Sequence, residues 1–552
     1  MPENVVSIVQ TERLQPRTPG LEQVAALSLL DATVANFALT NATWLFEKPA
    51  DSSNVDFQQL AAGLKNSLRT ALDAYPWWCG RVKMVMTTDG NAVKEALHLP
   101  SHARRYGRLY VQYGAPEDPG VEVITATSSE TLYSLYPAQR TTAQPIWSGK
   151  DAPLGPFIPS SPQVNPRQPD EPDENGRRKA PLAVQITGLA CGGWTLAVKS
   201  THPLADITTL VNFVKDWAAL HQATIIGQPE PQLNRELESW RLDDLATGDI
   251  NSDSSDSDVV GITTNLPFHR YDWWHPAAQK TCPWPVEIPE VFKDEVQRPV
   301  GKVMPWEEWD VTAPVSNYTI HFSRAQVEVL YQKATPSANG VVGNGSSQRI
   351  SRHDAVLAHV WSCIVRARGL QDDDDPVHCD LTYGLRPVLG LGESFVGSPI
   401  ILVNVELSAR TASSSLPPVA QEIRETISSV RPSDLSAHLH AVSFEKTPQR
   451  LWQAFLGRRH ILVTTWARAG LYDVNFFSSG GASSGIRYAD GLMPPLDGVI
   501  LIKEAPPSER KVDCSKPRSW TEDGVDISIH LRKEDMERLI VDPLLLPEFD
   551  RA

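Results

Sequence analysis

The stretch Ser200-Thr-His-Pro-Leu-Ala-Asp206 sets a histidine, His202, four residues ahead of a carboxylate, Asp206. Unperturbed imidazole titrates at ~6.5, so it takes and returns a proton near neutral pH. The β-branched, apolar run Trp194-Thr-Leu-Ala-Val-Lys-Ser200 predicts a strand ending just before this histidine. Just after it, Ile207, Leu210, Val211, Val214 and Trp217 recur at helical spacing. His202 is therefore expected at a strand-to-helix turn, with rigid backbone below it and the ring tip free. That is a position for a general base, although a hydrogen-bonded core histidine would give the same local pattern.

Other chemistries fit less well. Gly481-Ala-Ser-Ser-Gly485 matches the nucleophile elbow Gly-x-Ser-x-Gly, but Pro494-Pro495 and two glycines follow where the elbow needs a helix. His202 and Asp206 have no third ligand nearby, and the six cysteines form no Cys-x-x-Cys pair, so neither a metal nor a disulfide framework is expected. Four adjacent carboxylates at residues 372–375 read as a solvated loop, and the sixteen dispersed tryptophans read as core anchors. A net charge of −15 argues against nucleic acid as a partner, while an anionic coenzyme needs only a local cluster of Lys or Arg. With no long apolar run and no apolar leader, no membrane partner is expected and the cytoplasm is the expected location.

The elements that must position His202 can be read along the chain. At 552 residues two domains are expected: 1–225, a crossover at 226–305, and 306–552. In the first, residues 5–10 and 41–46 predict strands around a buried segment at 27–31, and Phe57, Leu60, Leu64, Leu68 and Leu72 predict a helix closed by Tyr75-Pro76. Residues 158–181 and 242–258 are polar and read as solvated loops. In the second, residues 318–322 predict a strand, and Ser323 with Gln326, then Ser351 with Asp354, have the spacing that caps a helix. A Gly/Ser-rich connector at 337–348 lies between those helices. Strands at 377–385, 400–407, 462–466 and 525–531, and helices at 418–430 and 533–540, complete the reading.

Several of these stretches resemble one family. Leu182-Ala-Val-Gln-Ile-Thr-Gly-Leu-Ala-Cys-Gly-Gly193, the His202 to Asp206 motif and Phe213-Val-Lys-Asp-Trp-Ala218 are similar to the BAHD acyl-CoA-dependent acyltransferases, most of all the fungal branch that includes trichothecene 3-O-acetyltransferase. Ile207 stands where the family usually has Gly, and Cys79 stands for Ala in the Pro76 to Val82 stretch. Arg386-Pro387 and Val396-Gly397-Ser398 resemble the family's Arg-Leu-x-Pro-Pro loop and its Tyr-x-Gly-Asn. Leu462-Val-Thr-Thr-Trp466 aligns with the family's Thr-Ser-Trp strand. The second signature, Asp-Phe-Gly-Trp-Gly, then falls on Asn475-Phe476-Phe477-Ser478-Ser479, where only Phe476 agrees and Asp473 precedes.

The resemblance covers nearly the whole chain outside the insertions. It implies an α/β fold of two chloramphenicol-acetyltransferase-like domains, mixed sheets flanked by helices, with an active-site channel at their interface. It implies transfer of an acyl group, most simply acetyl, from acyl-CoA to a hydroxyl of a secondary metabolite within a ternary complex. His202 would be the base, and Thr464 and Trp466 would hold the oxyanion. Asp206 would point away from the reaction and pair with an Arg, for which Arg386 is the candidate, while Asp473 and Asn475 would belong to a structural segment. Acyl-CoA and a small-molecule alcohol are the expected partners of a monomer with no permanently bound cofactor; no local pattern names the residues that contact CoA. Two other readings remain: a condensation-domain-like enzyme whose donor rides on a carrier protein, and an inactive scaffold.

Overall fold

Among the described residues, thirteen strands build the two larger, mixed sheets. The first half supplies β1 (Val6–Leu14), β2 (Thr40–Phe46), β3 (Val121–Ser128), β4 (Ile146–Ser148), β5 (Leu182–Leu189) and β6 (Trp194–Ser200). The second supplies β7 (Val315–Phe322), β8 (Pro376–Gly384), β9 (Ile400–Ser408), β10 (His460–Thr465), β11 (Ile486–Asp490), β12 (Val499–Glu504) and β13 (Val525–Arg532). This is a computed structural model describing residues 5–548 except 50–55, 151–152, 161–163, 165–170, 175, 285, 336–348, 478–484 and 508–518. The Gly/Ser connector, much of the 158–181 insertion, Ser478, Ser479 and most of the Gly481 to Gly485 stretch thus lie outside the described residues.

The first sheet runs β1-β3-β5-β6-β2-β11 and the second β9-β8-β10-β12-β13-β7-β4. Each sheet therefore ends on a strand from the other half. β11 pairs antiparallel with β2, and β4 pairs antiparallel with β7. This exchange ties the two halves together by backbone hydrogen bonds.

Helices cover the sheets where apolar stripes demand it. In the first half, α1 (Leu29–Thr33) is a single capped turn, and α2 (Phe57–Ala74) packs Leu64, Leu68 and Leu72 into one core with Leu210, Val214 and Trp217 of α3 (Ile207–Ile226). Gly80 follows α2 at a close approach, where a Cβ would lie 2.4 Å from the Gln112 carbonyl oxygen. In the second half, capping boxes at Ser323/Gln326 and Ser351/Asp354 start α4 (Arg324–Ala334) and α5 (Arg352–Ala367). With α6 (Leu416–Ser429), α7 (Pro432–Phe444) and α8 (Lys533–Leu539) these helices enclose a second core.

Two local expectations change. Residues 242–258 are not solvated throughout: Leu242 and Asp243 are buried, because Asp243 accepts the Leu29 N–H at 2.9 Å and faces His102 Nε2 at 3.2 Å. The helix α7 was not predicted, since Asp434, His438, His440 and Ser443 are buried among its apolar residues and leave no stripe. Among the described residues, no helix is long and apolar enough to cross a membrane.

Candidate active site

His202 lies in a short 3₁₀ turn, His202–Leu204, between β6 and α3. Its partner is Ser398, from the loop before β9. The Ser398 hydroxyl donates to the His202 carbonyl at 2.7 Å, and its oxygen lies 3.1 Å from His202 Nδ1. A hydroxyl has a single hydrogen to give. Since that hydrogen goes to the carbonyl, Nδ1–H donates to Oγ, and the lone pair of the neutral ring resides on Nε2. Burial pushes the ring's pKa down from its usual value, and the Asp206 charge only partly offsets this. Burial thus favours the neutral ring, the form that can accept a proton.

Ser398 is itself held from the first half. Its N–H donates to Asp31 Oδ1 at 2.6 Å, while Asp31 Oδ2 accepts from the Ser28 N–H and hydroxyl at 2.8 and 2.7 Å. Asp31 is fully buried, and desolvation raises its carboxyl to about 7 against those hydrogen bonds.

Asp206 caps α3 by accepting the Thr209 N–H at 2.9 Å. Its carboxylate forms a two-pronged pair with Arg386, at 2.5 and 3.0 Å, and both side chains are buried. The guanidinium also donates to Thr209 Oγ1 and to the Phe395 and Gly397 carbonyls. The pair clamps the loop carrying Ser398 onto the loop carrying His202.

Thr464 sits on β10 beside Leu501 of β12. Val463 belongs to the core of the second half, whereas Trp466 and Leu501 belong to that of the first, so the face of β10 bearing Thr464 and Trp466 looks across the interface. The Trp466 ring ends against Gly491, where a Cβ would lie 2.0 Å from Cη2 and 3.1 Å from the Asn41 carbonyl oxygen. Next to Asn41, the Thr40 hydroxyl bonds the Ala205 carbonyl at 2.6 Å. Trp466 thus reaches the first sheet at the end that carries the His202 turn.

Asp473 and Asn475 do other work. Asp473 pairs with Lys215 at 3.3 Å with 65% of its side chain exposed, and Asn475 Oδ1 accepts the Phe477 N–H at 3.3 Å. The segment's anchor is Phe476, fully buried edge-on against Phe46, Trp194, Trp217 and His221.

Among the described residues two cavities are candidates for taking substrate, and sequence patterns signalled neither. One, about 390 Å³, lies between α1, the crossover and the second half. Phe37, which meets the His202 ring edge-on at 5.6 Å, lines it together with Phe268, Ile401 and Trp452. The other, about 410 Å³, is lined by Arg349, Arg352, His353, Arg424, Arg468 and the start of α5 at Ser351. Asp354 pairs with Arg424 and Glu328 with Arg352, whereas Arg349 and Arg468 have no carboxylate partner among the described residues. A helix start ringed by guanidiniums suits phosphate groups. Elsewhere, His269, His378 and His460 come together within metal-ligand reach, apart from His202 and Asp206.

Residues 162–245 match the Transferase family. The chain is 26% identical over 521 residues to Acyltransferase AFT15-1 of Alternaria alternata, covering 91% of this chain and 90% of that one. It is 21% identical over 553 residues to Acyltransferase abl6 of Leptosphaeria maculans, covering 98% of both. Among solved structures, F. graminearum TRI101 with ethyl coenzyme A superposes with a TM-score of 0.62 at 16% identity, covering 95% of this chain and 98% of that one. Vinorine synthase superposes with a TM-score of 0.56 at 17% identity, covering 97% and 96%. These likenesses establish a two-domain acyltransferase fold along most of the chain.

Proposed function

We propose that this chain, whose residues 162–245 match the Transferase family, is an acyltransferase of the BAHD type that moves an acyl group, most simply acetyl, from acyl-CoA to a hydroxyl of a small secondary metabolite. The observation that carries this reading is the contact of His202 Nδ1 with the Ser398 hydroxyl, which leaves Nε2 as the ring nitrogen that can take a proton. As the acceptor oxygen attacks the thioester carbonyl, its proton passes to Nε2. The tetrahedral oxyanion is held by the Thr464 hydroxyl and the Trp466 indole N–H. Collapse breaks the C–S bond, and the leaving CoA sulfur takes the proton back from His202. No acyl-enzyme is needed, because both reactants are held side by side.

The cavity beside Phe37 takes the acceptor, and the cationic cavity takes the CoA phosphates through Arg349, Arg352 and Arg468. Support for a CoA donor comes from TRI101, which is solved with coenzyme A and deoxynivalenol together. The test is release of free CoA by purified protein given acetyl-CoA and a panel of terpenoid, alkaloid and polyketide alcohols. Release that requires both substrates is expected. A burst of CoA from acetyl-CoA alone, or turnover only with a carrier-bound acyl group, contradicts the scheme.

A further inference from the structure

His378 and His460 face each other on the adjacent parallel strands β8 and β10, their rings stacked with centroids 4.4 Å apart. His269, from the crossover, leans on both at 4.9 and 5.4 Å. Each ring presents a nitrogen within 4.8 Å of the other two. The side chains are 8%, 12% and 2% exposed for His269, His378 and His460, so water does not satisfy them freely.

Carboxylates surround the trio. Asp380, fully buried and two residues beyond His378 on the same face, places Oδ1 3.3 Å from His269 Nε2, and Glu308 Oε2 lies 3.9 Å from His460 Nδ1. Yet His269 Nε2, His460 Nδ1 and Glu308 Oε2 are all buried without a hydrogen-bond partner among the described residues. Buried ring nitrogens left unpaired beside carboxylates are costly in a folded protein, and a cation shared among them removes that cost.

From this arrangement we infer that His269, His378 and His460 form a binding site for a divalent transition metal of the zinc class, with Asp380 as the adjacent carboxylate. Three imidazoles and a carboxylate suit Zn²⁺ rather than Mg²⁺ or Ca²⁺, which prefer all-oxygen shells. Zn–N bonds of about 2.0–2.1 Å put tetrahedral ligand nitrogens about 3.4 Å apart, so the rings close on the ion by side-chain rotation. The site joins the crossover to the sheet of the second half. His269, with its neighbours Phe268 and Arg270, also lines the cavity beside Phe37, so the ion would fix one wall of that cavity.

The test uses the full-length protein stripped with chelator, dialysed against micromolar zinc chloride and analysed for metal content, with melting followed in parallel. One zinc per chain is expected, with a higher melting temperature that chelator reverses; cobalt(II) in its place should give the visible absorption of a tetrahedral site. His378→Ala and His460→Ala should each abolish retention, and His378→Gln serves if the alanine variants do not fold. Wild-type protein that retains no zinc, or variants that retain the same stoichiometry, would overturn the assignment.

Discussion

At the scale of single residues, the account turns on one hydrogen. Ser398 decides which nitrogen of His202 carries it, and Asp31 decides where Ser398 sits. Ser398→Ala removes the acceptor for Nδ1–H while changing little volume. It should lower kcat about tenfold, the worth of one hydrogen bond near 1–1.5 kcal/mol, and cost about 1–3 kcal/mol of stability by leaving Nδ1–H and the His202 carbonyl unpaired in a buried site; unchanged kcat would show that the ring is oriented otherwise. His202 was legible from local pattern because the strand, the turn and the helix that hold it are consecutive in sequence. Ser398 was visible only as part of a family-like stretch, and Asp31 only as a buried segment. Their bonds join positions 196 and 367 residues apart, and no periodicity reports such a contact.

At the scale of elements, the loops on either side of the interface are held by charge and by shape. The Asp206–Arg386 pair is buried, so removing one partner strands the other in a low-dielectric interior. Asp206→Asn or Arg386→Leu should each cost roughly 3–5 kcal/mol in urea denaturation, while replacing both together by apolar residues should cost much less. Single-variant losses under ~1 kcal/mol would contradict the pairing's structural weight. Shape acts at Gly491, where any Cβ would overlap the Trp466 ring. Gly491→Ala should displace the indole and reduce CoA release by about 10²-fold, since small misplacements of a reacting group carry large rate penalties. Most long helices and central strands could be read from their stripes and caps. The exchanged strands β4 and β11 could not, because three and five residues are too few to show an alternation. The cationic cavity was hidden for a different reason, its arginines being spread from Arg349 to Arg468.

At the scale of the whole molecule, the two cores carry buried histidines whose ionisation opposes folding. Burial lowers His221 and His530 to about 4 and His438 to about 3. In the unfolded chain these rings titrate at ~6.5, so below that pH the unfolded state binds protons the folded state refuses. Stability they support is complete above ~6.5 and is lost as pH falls toward about 4. Asp31 has the opposite sign: its carboxyl is raised to about 7, so its contribution is full in acid and fades as pH rises through that value. From the histidines, the urea midpoint should fall steadily on acidification below ~6.5; a midpoint independent of pH there would contradict their burial as neutral rings. Catalysis follows a separate profile. His202 is depressed by burial, so CoA release should persist to pH values below ~6.5 before the base is protonated.

The most direct measurement of the central claim is the rate of CoA release by His202→Ala beside the wild-type protein, with acetyl-CoA and an accepted alcohol both saturating. The account predicts a loss of about 10²–10⁴ in kcat with an unchanged melting temperature. Turnover within a factor of a few of wild type would mean that another group removes the hydroxyl proton.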